Sequence, residues 1–256
     1  MSPIPPGPTF RSECLRCRRP AAVCLCAHIT TLRTRTRFVF LTHPKEARKI
    51  KNGTGRIAHL AMPGSELLVG IDFREHPRVR ALLADPSLRC RLLYPKAPGA
   101  PMDAGEDLLD DDVSGRTPVL FLLDATWPFA KKMMRLSTNL QGLPRLSLKV
   151  GRPSEFAIKH QPHPACLGTI EAVDRTLLAL AEAGVEQYTE EDSERLLRPF
   201  RHMNQLALDA AADPNRVSYR SQRGFKAPTE RVPRRPSPTA GRSLLYRSPD
   251  PERSLP

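Results

Sequence analysis

Pro118-Val119-Leu120-Phe121-Leu122-Leu123-Asp124-Ala125-Thr126-Trp127 is the stretch that decides the fold. Its first six residues are apolar without a break, the pattern of a strand covered on both faces. A helical pattern over Trp127–Leu136 begins almost at once. Thr36–Leu41, Glu66–Ile71 and Arg89–Tyr94 read as strands of the same kind, with Leu143–Val150 a weaker candidate. Helical patterns fill the intervals: Ala47–Ala61, Thr169–Ala183 (Ile170, Val173, Leu177 and Leu180 at steps of three and four) and Thr189–Ala212 (Leu196, Phe200, Met203, Ala207). Alternating strands and helices predict an α/β fold with a mostly parallel sheet and flanking helices. In such sheets ligands bind at the carboxyl ends of strands. Asp124 stands at such an end, where a carboxylate can grip a ligand or act as a base. Capping of the next helix by Asp124 or Thr126 is the simpler reading of that position taken alone.

Outward from this centre the chain changes character. Residues 1–13 are Pro-rich and expected to be disordered. Residues 14–30 carry Cys14-x-x-Cys17 and Cys24-x-Cys26, four of the six cysteines. Two close pairs can fold over one tetrahedral zinc ion, and four thiolates would make the site structural. Disulfides and free thiols are the alternatives; disulfides do not persist in a reducing compartment. Arg16, Arg18 and Arg19 stud this segment, which makes it either an RNA contact or only a staple. Residues 31–212 form the expected catalytic domain. Within it Pro98–Gly115 is a run of acids flanked by Pro and Gly, read as an exposed loop. Residues 213–256 hold ten Lys or Arg against four Asp or Glu, with eight prolines, and read as a basic, disordered tail.

The 256 residues carry a formal charge of +13, which favours an anionic partner, nucleic acid being the commonest. The opening lacks the apolar region of a signal peptide, and no apolar run is long enough to span a bilayer. A soluble, cytoplasmic protein without a membrane partner is expected. No obligate protein partner is evident.

Several polar segments lie near the predicted strand ends: His43-Pro-x-Glu46, Thr54-Gly55-Arg56, Asp124-x-Thr126-Trp127, Ser154-x-Phe156-x-Ile158-x-x-Gln161-Pro162 and Cys166-Leu-x-Thr169-x-Glu171-Ala172. With the cysteine cluster they make six motifs in a fixed order. Together they resemble the DTW-domain family, named for its Asp-x-Thr-Trp signature, from about Cys14 to about Ala212. The sequence departs from the family's usual pattern at Gly53 (often Asn), Lys159 (often Arg) and Gly168 (often Ser).

The resemblance implies a fold related to the SPOUT methyltransferases, in which the chain can be knotted. It implies transfer of the 3-amino-3-carboxypropyl group from S-adenosylmethionine to a uridine of tRNA. Asp124 is then the expected base, or else a ligand of the donor's amino group. Thr126, Ser154 and Thr169 are candidates for the donor's carboxylate, ribose or adenine, and Glu171 for its amine or ribose. Trp127 stacks on a base or packs in the core. Arg56, Lys131, Lys132, Arg135 and Lys159 are candidates for RNA phosphate, with a solvated helix face the other reading of Lys131 and Lys132. Zinc is expected at Cys14, Cys17, Cys24 and Cys26. His43 is read as a packing residue and Cys90 and Cys166 as structural. An RNA methyltransferase of the SPOUT type and a non-enzymatic RNA-binding zinc protein are the competing readings.

Overall fold

The computed structural model describes residues 12–49, 53–95, 115–148, 153–156 and 166–212. These form a five-stranded, wholly parallel sheet covered by helices on both faces. In chain order the elements are β1 (Arg37–Thr42), α1 (Pro44–Lys49), α2 (Thr54–Ala61), β2 (Glu66–Val69), α3 (Pro77–Ala84), β3 (Leu88–Leu93), β4 (Thr117–Asp124), α4 (Trp127–Leu136), β5 (Arg145–Leu146), α5 (Thr169–Glu182) and α6 (Glu190–Ala212). The strand order is β2-β1-β4-β3-β5. The acidic segment 98–114, the tail from 213 onward, residues 1–11, Lys159 and Gln161-Pro162 lie outside the described residues.

Side chains along a strand alternate between faces, and the sheet divides the core accordingly. Phe38 and Phe40 of β1 join Leu120 and Leu122 of β4 against α2, α5 and α6. Val39 and Leu41 join Val119 and Phe121 against α3 and α4. The two central strands are therefore apolar throughout because both sides are covered. β1 leads on to α2 on the first face, and β4 leads directly to α4 on the second. Between their carboxyl ends the outgoing chains diverge, which leaves the crevice where open α/β sheets bind ligands.

Several sequence expectations are corrected. The helix expected over 47–61 is two helices, α1 and α2, with residues 50–52 between them outside the description. β2 is not covered on both faces: it is an edge strand, with Val69 exposed and Glu66 paired to Arg37 and Arg78. It stops at Val69, and a Cβ at Gly70 would lie 2.9 Å from the Phe73 ring. The last strand shrinks from the expected Leu143–Val150 to two residues, with residues 149–150 outside the description. Helix α3 was not anticipated, because its eight residues bury only Val79 and Leu82. Cys90 lies on β3 as expected, packed against the core rather than fully inside it. Its thiol meets the Leu82 carbonyl at 3.4 Å, and burial pushes its pKa up to about 11.

Candidate active site and cysteine knuckle

The site begins with strand register. Thr42, the last residue of β1, is the register partner of Asp124, the last of β4. Asp124 continues the Leu120–Leu122 row, so its carboxylate faces α2 and α5 rather than α4. It is only 6 % exposed. The Thr169 hydroxyl donates to Oδ1 at 2.8 Å and the Thr42 hydroxyl to Oδ2 at 3.2 Å. The His43 N–H donates to the Asp124 carbonyl at 3.1 Å. Asp124 is thus not the cap of α4. Thr126 occupies that position through its backbone, and its carbonyl accepts the Ala130 N–H at 2.8 Å. The Thr126 hydroxyl makes no hydrogen bond among the described residues, while its neighbour Trp127 is half-buried and tilted against Tyr94, ring centres 6.5 Å apart.

The first turn of α2 closes on the same carboxylate. A Cβ at Gly55 would stand 2.4 Å from the Asp124 carboxyl carbon, a distance no side chain tolerates. Glycine is therefore required for close approach, and the helix N-terminus places its positive end beside the acid. The preceding Thr54 hydroxyl accepts the Thr169 N–H at 3.0 Å, which ties α2 to α5. Four elements that are distant in sequence thus meet within hydrogen-bond reach of one carboxylate.

Glu171 and Ser154 form a second cluster behind this one. Glu171 is buried and accepts three bonds: from the Ser154 hydroxyl (2.6 Å), the Glu155 N–H (2.7 Å) and the Gly168 N–H (2.6 Å). The last is the reach-back of an N-terminal capping box. A Cβ at Gly168 would lie 3.0 Å from Glu171 Oε2 and 3.3 Å from the Phe156 ring, so this departure from the family pattern sits in a tight place. Phe156 packs edge-on to Phe200, and Arg201 holds Glu155 at 2.7 Å. The pair therefore fastens the loop at 153–156 to α5 and α6.

The basic candidates are divided. Lys131, Lys132 and Arg135 lie on the exposed face of α4. Arg56 is half-buried and lines a cavity of about 220 Å³ with Asp124, Thr42, Glu46, Arg18 and Arg19. His43 is buried, as a packing role requires, stacked on Phe129 at 4.2 Å. Burial and then the nearby Lys45 and Lys132 charges lower its pKa.

The far wall of that cavity is the cysteine segment. The four sulfurs lie within 4.8 Å of one another, with Cys14–Cys26 at 3.6 Å and Cys17–Cys24 at 3.7 Å. A tetrahedron with metal–sulfur bonds of about 2.3 Å has edges of about 3.8 Å, so the donor set fits zinc. Backbone N–H groups of Cys17 and Arg16 point at the Cys14 sulfur and pull its pKa down to about 6. Arg18 adopts the left-handed φ of 56° that this turn demands. Leu25, fully buried, plugs the segment into the core, and His28 stacks on His202 of α6 at 3.8 Å. Of the arginines in the segment read as either an RNA contact or a staple, Arg19 is buried, with Nε donating to the Val23 carbonyl at 3.0 Å, which suits the staple. Gly55 belongs to the Thr54-Gly55-Arg56 motif, but the sequence does not show its contact with Asp124, nor that Thr42 is the register partner of Asp124; for Thr42 the available signal was a polar residue ending an apolar strand.

No helix among the described residues is long and apolar enough to cross a membrane. No solved structure matches the chain. A macaque protein, tRNA-uridine aminocarboxypropyltransferase 2, is 29% identical over 212 residues, 79% of this chain and 65% of its own length. The fruit-fly (Drosophila melanogaster) protein of the same name is 28% identical over 212 residues, covering 80% of this chain and 78% of its own. An Arabidopsis thaliana protein, tRNA-uridine aminocarboxypropyltransferase A, is 27% identical over 198 residues, 69% of this chain and 75% of its own. The DTW domain model matches residues 11–208, a span that takes in the cysteine knuckle, the Asp124 carboxylate and every loop that meets it, and the chain belongs to the DTW domain family.

Proposed function

We propose that this protein transfers the 3-amino-3-carboxypropyl group of S-adenosylmethionine to a uridine of tRNA. The observation that carries the reading is the convergence of Thr42, Gly55 and Thr169 on one carboxylate, Asp124, which itself lines the cavity, in a chain whose relatives bear the name of that activity. The reaction is a displacement. The uracil imide nitrogen forms a bond to the γ-carbon of the methionine chain, and the sulfur–γ-carbon bond breaks. Its electron pair stays with sulfur, releasing methylthioadenosine. The imide proton needs an acceptor, and Asp124 is the group placed to take it. Its oxygens receive the hydroxyls of Thr42 and Thr169, which fixes the carboxylate in place.

The donor offers three carbons to a nucleophile, so orientation decides which one reacts, and positioning can contribute several kcal/mol. The start of α2, with Gly53, Arg56 and Ile57 in the cavity lining, supplies a wall for that task. Thr126 and Trp127, at the start of α4, lie at the same strand end and are assigned to the donor. Lys131, Lys132, Arg135 and Lys159 are assigned to RNA phosphate. Zinc, bound by the four cysteines, would hold the knuckle in shape and take no part in bond making. Mass spectrometry of tRNA nucleosides after incubation with the chain and S-adenosylmethionine tests the proposal. A uridine heavier by one aminocarboxypropyl group is expected. A methylated nucleoside instead would move the protein to the methyltransferases, and no change in any nucleoside, with no donor binding, would leave an RNA-binding zinc protein.

A further inference from the structure

Six arginines have an acidic partner among the described residues: Arg37 and Arg78 hold Glu66, Arg74 holds Asp72, Arg80 holds Glu75, Arg195 holds Glu191 and Arg201 holds Glu155. Three arginines around the cavity do not. Arg18 of the knuckle, Arg48 of α1 and Arg56 of α2 all line it, and none donates a hydrogen bond or forms an ion pair among the described residues. Arg18 and Arg48 are exposed at the surface, while Arg56 is half-buried. Arg18 stands close enough to Arg56 for its charge to lower the Arg56 pKa, after burial the next cause. Glu13, Glu46 and Asp124 line the same cavity, and the Asp124 and Cys17 charges act on Arg56 in the opposite sense, but Arg18 and Arg48 at its exposed side keep no ion pair among the described residues, and an anion there would relieve the remaining repulsion.

Four thiolates and one divalent ion would carry two negative charges; the buried Arg19 lies beside Cys17 and Cys24, and the Cys17 charge reaches Arg56 as well. Arg18 is exposed instead. Its backbone is fixed by Arg18 N–H to the Cys14 carbonyl (2.7 Å) and Cys14 N–H to the Arg19 carbonyl (2.8 Å), the same turn that sets the first two cysteines. The left-handed φ is disfavoured for any residue but glycine. The sequence therefore keeps a strained arginine where glycine would be easier, which is understandable if its side chain is used.

Resting on the function proposed above, we infer that Arg18, Arg48 and Arg56 form a composite seat for an RNA phosphate beside the target uridine, so that the cysteine knuckle is one wall of the substrate site. Phosphate rather than the donor's carboxylate is favoured because two of the three cations lie at the exposed mouth, where a polyanion arrives from solvent. The acid of the cavity floor, Asp124, lies on the side of Arg56, whose charge it steadies, and away from the exposed mouth.

The test uses the zinc-loaded full chain, with tRNA affinity measured across a salt series and S-adenosylmethionine affinity by calorimetry. Arg18→Ala should weaken tRNA binding roughly tenfold, as loss of a charge-assisted bond does. It should also lower the slope of log K against log salt by about one. Arg18→Gly removes the same charge while relieving the backbone, so an equal loss with intact zinc content and melting temperature excludes misfolding as the cause. Arg80→Ala, on the distant α3, should change neither quantity. Donor affinity should be unchanged in all three. Wild-type affinity and slope in both Arg18 variants would overturn the inference alone, as would a loss confined to donor binding. A wild-type chain that neither binds nor modifies tRNA would overturn the function and the inference with it.

Discussion

The two walls of the cavity are built on opposite principles. The floor, at the ends of β1 and β4, is held by a continuous strand ladder and two covered apolar faces. The knuckle has almost no core of its own: Leu25 is its anchor, Leu15 stands 95 % exposed, and four sulfurs supply the remaining order. The floor fixes one carboxylate by packing and by two threonine hydroxyls. The knuckle presents charge on a loop whose four sulfurs are placed to hold a metal. On the proposed function, chemistry that depends on distance would sit on the first and recognition that depends on charge on the second.

The sharpest way to break this division is Asp124→Asn. The amide oxygen can accept one threonine hydroxyl and the amide nitrogen can donate to the other once that hydroxyl turns, so folding should be kept, while turnover should fall by about 10²–10⁴-fold, the scale of a lost general base. Turnover near wild type in a single-turnover assay would remove Asp124 from the chemistry. Next in size is Gly55→Ala. The added methyl must displace the carboxylate or α2, and a shift of that order costs about 10²-fold in turnover. Equal affinity for tRNA in this variant would show that the floor governs chemistry alone.

Removing the metal should act on the other wall. Metal analysis should find about one zinc per chain, and chelation should weaken tRNA binding by roughly the tenfold assigned to Arg18. It should lower the melting temperature as well, because Leu25 loses its frame. Unchanged tRNA affinity after complete chelation would make the knuckle a staple only.

The smallest effect expected is on pH. Burial and then the Arg56 charge lower the pKa of His59, whose ring meets the Ser65 hydroxyl at 2.8 Å. The unfolded chain takes up this proton near pH 6.5 and the folded chain resists it. The unfolded state then binds more protons, so the His59 contribution is present above pH 6.5 and is lost as pH falls through the lowered folded value. Melting curves between pH 7 and 5 should show the decline, and His59→Gln should flatten it.

Much of the architecture was legible because burial writes itself into sequence. Pro118–Leu123 is apolar without interruption, and only a strand covered on both faces needs that. The cysteine spacing was legible for a similar reason, since ligands must sit close in the chain to meet in so small a loop. Residues whose meaning is relational were harder. Nothing within the chain around Gly55 indicates that a carboxylate from residue 124 will press against it. Asp124 looked like a cap because position alone cannot tell which face a strand-end residue points to; register with Thr42 does. Glu171 had the composition of a first-turn acid, yet its oxygens are taken by Ser154 and two backbone N–H groups brought in by a separate loop.

The pairing of Thr42 with Asp124 also constrains traffic through the site. The two residues end neighbouring central strands joined over six register pairs, Arg37↔Val119 to Thr42↔Asp124. A floor of that kind cannot breathe without tearing the ladder at the middle of the molecule. On the proposed function, entry of a nucleotide and escape of the product would therefore depend on the cavity's other boundaries, the cysteine loop among them, and not on the sheet.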